Sequence, residues 1–167
     1  CIVFEDERYS YKEVFEKSAQ TANALINEGI CKGDKVAICM QNNPEFIFAY
    51  LGIVGIGAVC VPLNSWWVHS DAKLLFADQK RMQGLESLKD VKKIVTSYTP
   101  DPLFKSFSDF INEQSISFPE IEIGRNDPAT IYYTSGSTGK PKGVLSSQKA
   151  VIATLFSWAC FSSIMKE

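Results

Sequence analysis

Residues 129 to 143 read Ala129-Thr-Ile-Tyr-Tyr-Thr-Ser-Gly-Ser-Thr-Gly-Lys-Pro-Lys-Gly143, an apolar run of strand length that empties into a loop. From Tyr133 onward the loop packs four aliphatic hydroxyls (Thr134, Ser135, Ser137, Thr138), three glycines and two lysines. Such a composition suits polyphosphate. Small residues let backbone N–H groups approach an anion, hydroxyls donate hydrogen bonds, and lysines neutralise charge.

Two familiar phosphate loops do not fit. A Walker A loop needs Gly-x-x-x-x-Gly-Lys-Ser/Thr. With Gly139-Lys140 as its Gly-Lys pair, the first glycine would fall on Thr134, and Lys140 is followed by Pro141, which has no hydroxyl for Mg²⁺ and no N–H to donate. A dinucleotide fingerprint, Gly-x-Gly-x-x-Gly, occurs nowhere in the chain. A linker that is merely rich in Ser and Gly rarely carries lysines on both sides of a proline.

The run resembles the signature loop of the adenylate-forming (AMP-binding) superfamily, close to Tyr/Phe-Thr-Ser-Gly-Ser/Thr-Thr-Gly-x-Pro-Lys-Gly, and meets its every fixed position. That superfamily includes acyl-CoA synthetases, aryl-CoA ligases, luciferases and peptide-synthetase adenylation domains. Other segments are similar to it in the same order: Tyr9-Ser-Tyr11, Gly33-Asp-Lys-Val-Ala-Ile38, Asn42-Asn-Pro-Glu-Phe46 and Gly57-Ala-Val-Cys-Val-Pro-Leu-Asn64. Ser65-Trp66-Trp67 after Leu63-Asn64 is similar to fatty-acid–CoA ligases in particular.

The resemblance implies a two-step reaction. A carboxylic acid attacks the α-phosphorus of ATP to give acyl-AMP and pyrophosphate; the thiol of coenzyme A then displaces AMP. By the same resemblance Thr134, Ser135, Gly136, Ser137, Thr138, Gly139 and Lys142 contact the phosphates, with Lys142 the charged contact. Lys140, at the variable position, is expected in solvent, Pro141 is expected to restrict the loop, and Gly143 to supply an unusual backbone geometry. Mg²⁺ would accompany ATP, on a carboxylate that the family carries downstream of Glu167. The acid is expected to be a fatty acid; an aryl-acid ligase, an amino-acid-activating domain or a non-catalytic nucleotide-binding module would share the loop.

Two departures stand out. The family carries a helix between Trp67 and Lys73, where this chain has only Val68-His-Ser-Asp71, so a deletion or an omitted segment is expected around residues 67–70. The family's later motifs for adenine, ribose, the interdomain hinge and the C-terminal lysine are absent. Residues 1–167 are therefore expected to be an incomplete N-terminal AMP-binding domain, inactive alone, without the C-terminal domain.

Composition agrees with one α/β domain: 46% hydrophobic residues, 22% charged and a formal net charge of −2. Nearly balanced charge gives no reason to expect nucleic acid. The apolar stretch from Phe46 to Leu63 is broken by three glycines, so a transmembrane span is not expected. Five cysteines form no Cys-x-x-Cys pair, and Cys1-Ile-Val-Phe4 runs at once into Glu5-Asp-Glu-Arg8 without a secretory leader's pattern; the expectation is a cytoplasmic protein. One histidine, His69, cannot assemble a zinc cluster of ordinary spacing.

Along the chain, Ile2–Phe4 reads as a strand, and Ser10-x-x-Glu13 as a capping box. The helix it opens would face the core with Tyr11, Val14, Phe15, Ala22, Leu25 and Ile26 and stop at Gly29. Strands are expected at 35–40, 58–61, 73–77, 92–96 and 129–134. Helices are expected from Asn43-Pro44 to about 55–57, over 78–88, within 107–114 and over 148–161. This alternation predicts a mostly parallel sheet flanked by helices. Met and Phe residues of the apolar helices are expected in the core, Trp66-Trp67 at the sheet edge rather than as an acyl platform, and Asp78 and Asp127 as caps or turns rather than catalysts.

Overall fold

The computed structural model describes residues 1–63, 71–82, 91, 93–96, 105–134 and 141–162. A short hairpin of β1 (Ile2–Phe4) and β2 (Glu7–Tyr9) leads into α1 (Tyr11–Asn27). There follow β3 (Lys35–Cys39), α2 (Pro44–Gly55), β4 (Val59–Pro62), β5 (Leu74–Ala77), α3 (Gln79–Met82), β6 (Lys93–Thr96), β7 (Lys105–Ser106) and α4 (Phe107–Ile111). The chain then forms β8 (Pro128–Thr134), β9 (Lys142–Ser147) and α5 (Gln148–Phe161). The seven larger strands make one sheet in the order β7-β6-β5-β3-β4-β8-β9, in which every neighbouring pair is parallel except β8 and β9.

Local signals set the elements as expected. Ser10 and Glu13 form the reciprocal box, Glu13 accepting from the Ser10 N–H at 2.7 Å and Ser10 Oγ from the Glu13 N–H at 3.2 Å. Gly29, at φ +82°, follows the end of α1 in the left-handed conformation that glycine tolerates. Asn43 caps α2 by accepting from the Phe46 N–H at 3.1 Å, with Pro44 in the first turn.

The core sits between the sheet and three helices. Val36, Ile38, Leu74, Phe76 and Cys60 pack against Leu25 of α1, Phe48 and Ile53 of α2, and Phe107 and Phe110 of α4. Phe76 meets the Phe110 ring edge-on with centroids 5.5 Å apart. Alternate residues Ala37, Cys39, Leu75 and Ala77 point to the other face, with Ala72, Leu63 and Val91. Burial on both faces is why these strands read as continuous apolar runs.

Two expectations about packing are corrected. Of the α1 stripe, Val14, Ala22 and Leu25 are buried, but Tyr11, Phe15 and Ile26 are 81%, 55% and 36% exposed. The α1–α2 contact is made through small residues: a Cβ on Gly52 would come within 2.8 Å of Thr21 Cβ. Tyr11 and Phe15 lie outside that close approach. The second correction is α5, none of whose residues is buried; Leu155, Phe156, Trp158 and Phe161 face outward instead of joining a core. The helix expected at 78–88 is described only over Gln79–Met82, and the expectations on Trp66, Trp67, His69 and the 67–70 segment lie outside the described residues.

Two predictions follow from this packing. Apolar side chains on α5, with Val144 and Leu145 on β9, form exposed surface of the kind that drives association. The 167-residue chain by itself is expected to self-associate or unfold easily; a monodisperse monomer with a sharp, high melting transition would contradict this. The second concerns acid. Lys32 Nζ, 2.7 Å from Asp127, and the Gly124 N–H hold the Asp127 carboxyl below the usual carboxylate range. A depressed folded pKa stabilises above the unfolded value of about 3.9 and is lost as pH falls through the folded value. Asp127→Asn should therefore flatten the acid limb of stability below about pH 4, read as urea midpoints against pH. An unchanged acid limb would show that the pair is not linked to folding.

Candidate functional site

The end of β8 is the point from which the candidate phosphate loop departs, and the chain returns from it as a strand. β9 was not legible as a strand in the sequence, where a helix was expected at 148 and nothing regular before it. β8 and β9 pair antiparallel over Ile131↔Leu145, Tyr132↔Val144, Tyr133↔Gly143 and Thr134↔Lys142. The loop is thus the connection of a hairpin rather than a strand-to-helix turn. This agrees with the exclusion of Walker A chemistry, in which a helix N-terminus meets the phosphates.

Of the seven expected phosphate contacts, Thr134 and Lys142 lie within the described residues, and Ser135, Gly136, Ser137, Thr138 and Gly139 lie outside them, as does Lys140. The hairpin register sets Thr134 directly opposite Lys142, and Thr134 Oγ1 donates to the Lys142 carbonyl at 3.5 Å. Both residues are exposed. Thr134 and Lys142 are therefore held side by side on the two strands that flank the loop.

Gly143 is not needed for an unusual backbone, since it is absent from the glycines with positive φ. Its requirement is space. A Cβ there would lie 3.0 Å from Ile131 Cγ2 and 3.3 Å from the Tyr133 ring. Gly143 lets the two strands close at the base of the loop.

The strand that carries the loop is anchored from below. Thr130 pairs with Cys60 across β4 and is fully buried, its hydroxyl without a hydrogen-bond partner. On α2, burial and then the neighbouring Tyr132 phenol push the Tyr50 hydroxyl above its ordinary pKa. Burial does the same to the Cys60 thiol, which makes it an inert core group rather than a nucleophile. Sequence reasoning gave no signal for Tyr50 or Thr130, because both occur in runs that read simply as helix and strand.

Asp78 and Asp127 are structural, as expected. Asp78 accepts from the Gln41 N–H at 2.8 Å and the Arg81 N–H at 3.0 Å and pairs with the Arg81 guanidinium. Asp127 accepts from Gly124 and pairs with Lys32. Among the described residues no group of three or more His, Cys, Asp or Glu could hold a metal ion. No helix among them is long and apolar enough to cross a membrane.

Comparison with known proteins decides the family. The model of the AMP-binding enzyme family matches residues 1–166. The chain belongs to the AMP-binding enzyme family. Among similar proteins of this family is the crotonobetaine/carnitine–CoA ligase of Escherichia fergusonii, 35% identical over 156 residues, which cover 83% of this chain and 30% of that relative. The anthranilate CoA ligase AuaEII, solved with anthranoyl-AMP, superposes with a TM-score of 0.81 at 26% identity, over 87% of this chain and 31% of that one. A Mycobacterium tuberculosis fatty acyl CoA synthetase gives 0.79 at 26% identity, over 93% of this chain and 32% of that one. This AMP-binding chain thus spans about 30% of the length of the curated relative it matches.

The hairpin yields a prediction of its own. Gly143→Val should force Ile131 and Tyr133 aside and destabilise the chain by about 1–3 kcal/mol, the usual cost of overpacking. Chemical denaturation checks it; a loss below about 0.5 kcal/mol, the scale of surface substitutions, would mean that the strands part freely.

Proposed function

We propose that this chain supplies the triphosphate-binding part of an AMP-forming acyl-CoA ligase. In the first half-reaction a substrate carboxylate oxygen bonds to the α-phosphorus of ATP, the bond from that phosphorus to the bridging oxygen breaks, and pyrophosphate leaves with the electron pair. In the second, the sulfur of coenzyme A bonds to the acyl carbon, AMP departs, and the thiol proton is released. What this chain contributes is electrostatic: charge builds on the leaving pyrophosphate, and fixed donors with a lysine stabilise it.

The observation that carries this reading is the register that sets Thr134 opposite Lys142 at the mouth of the hairpin. Lys142 is assigned the charged contact. Thr134, Ser135, Gly136, Ser137, Thr138 and Gly139 are assigned the hydrogen bonds from hydroxyls and backbone. Mg²⁺ would come with ATP, on a carboxylate that the family resemblance places downstream of Glu167.

The acid is assigned as a fatty acid, on the likeness of Leu63-Asn-Ser-Trp-Trp67 to fatty-acid–CoA ligases and on the superposition with the fatty acyl CoA synthetase. The relatives named above act on quite different acids, so the assignment rests on those two likenesses. A cytoplasmic location is the companion reading, supported by five cysteines of which none is in a disulfide.

Acid-dependent ATP–pyrophosphate exchange by the full-length product of this gene tests the reading, across fatty acids of increasing length and a few aryl acids. Exchange with fatty acids is expected. Exchange with aryl acids alone would overturn the substrate, and none with any acid despite intact ATP binding would overturn the reaction. In the same protein Lys142→Ala should lower kcat/KM for MgATP by roughly 100-fold, the usual scale for one oxyanion donor, while Lys140→Ala has little effect. Equal, small effects would remove the role given to Lys142.

A further inference from the structure

β8 carries the candidate loop, yet its hold on the sheet is slight along its own length. Among the described residues it pairs with β4 at one position, Cys60↔Thr130, whereas β3 pairs with β4 at four. Thr130 is fully buried there, but its hydroxyl has no hydrogen-bond partner. A strand is stiff along its axis. A slip that keeps its faces, two residues or roughly 7 Å, would carry the loop the same distance.

The start of β8 is fixed at Asp127, the residue before the strand. Its N–H donates to the Gly124 carbonyl at 3.0 Å, its carbonyl accepts from the Gln148 N–H at 2.9 Å, and its carboxylate accepts from the Gly124 N–H. Turn, strand and the start of α5 therefore meet at one residue. The carboxylate also pairs with Lys32 Nζ at 2.7 Å, and the same ammonium donates to the Glu122 carbonyl at 2.8 Å. Lys32 is itself held against the beginning of β4. The Gly33 N–H donates to the Gly57 carbonyl at 2.9 Å, the Val59 N–H donates to the Asp34 carbonyl at 2.8 Å, and a Cβ on Gly57 would lie 3.0 Å from Lys32 Cγ.

We infer, on the phosphate role proposed above for the loop, that Lys32 and Asp127 are positioning residues whose ion pair sets β8 against β4 and so sets where the loop meets nucleotide phosphate. One ammonium grips two points of the segment 122–127, which fixes the direction of that segment as well as its place. Both side chains are reached by water, 42% and 27% exposed, and an ion pair so placed adds little to stability. Its effect is geometric. The pair stands at the opposite end of β8 from the loop, about 20 Å away, and acts through the strand.

The test uses the full-length protein and four variants. Lys32→Met keeps the aliphatic stem without the cation, Asp127→Asn keeps an acceptor for the Gly124 N–H, the third combines the two, and Lys32→Arg restores a cation. In acid-dependent ATP–pyrophosphate exchange, Lys32→Met and Asp127→Asn should each raise KM for MgATP by about ten-fold or more, the scale of a small misplacement far from the chemistry, and leave KM for the acid unchanged. The combined variant should be no worse than the worse single one, because the two residues act as one clamp. Lys32→Arg should recover most of the loss. Deuterium uptake gives a readout apart from activity: peptides over 128–147 should take up label faster in the Met and Asn variants, and peptides over 35–39 should not change. KM rising equally for MgATP and the acid, additive losses, or unchanged uptake over 128–147 would each overturn the clamp. An unmodified protein that exchanges with no acid would instead overturn the reading of the loop, and deuterium uptake would still decide whether the pair sets β8.

Discussion

Everything in this fold leans on a strand that has no exposed side. Val36, Ala37, Ile38 and Cys39 of β3 are all at or below 1% exposure, with β4 on one edge and β5 on the other. A strand so placed must have its backbone N–H and C=O groups paired by its neighbours, because no water reaches them. The parallel register on both sides meets that need, and parallel pairing requires the chain to cross over the sheet between strands. α2 makes that crossing between β3 and β4, and the close α1–α2 contact at Thr21 and Gly52 holds α1 on the same layer. The helices therefore follow from the burial of one strand.

On this base the sheet changes character at the end that carries the candidate site. Five parallel pairs give way to one antiparallel pair, β8 with β9, and the loop rich in Ser, Thr, Gly and Lys joins them. Because the chain returns as a strand, the α5 N-terminus lies at the far end of the hairpin, where Gln148 donates to the Asp127 carbonyl at 2.9 Å. The positive end of that helix dipole thus lies away from the loop. Under the proposed function, phosphate binding would rest on the loop's own donors and on Lys142 rather than on a helix N-terminus.

The sequence was most readable where local chemistry and burial agree. The box at Ser10 and Glu13, the Asn43-Pro44 start of α2 and the apolar runs of β3, β4 and β5 each carry a signal set by a few neighbouring residues. β9 was missed because Lys142-Gly-Val-Leu-Ser-Ser147 mixes charge, glycine and serine, and its strand conformation comes from pairing with β8. The exposure of Tyr11, Phe15 and α5 was missed because helical spacing identifies an apolar face without saying what covers it. The loop drew attention through its residue types, whereas the setting of Tyr50 on α2 and Thr130 on β8 depends on elements brought together from distant sequence.

The parallel pairing of β4 with β8 joins residues about 70 positions apart, Cys60 with Thr130, whereas β8 and β9 are neighbours in sequence. Closing the shorter loop costs less chain entropy, so the hairpin can form on its own before it docks on β4. Synthesis from the N-terminus works in the same direction, because β3, β4 and β5 emerge well ahead of β8. On that order the candidate loop would arrive late, carried by the hairpin to a sheet whose interior is already closed.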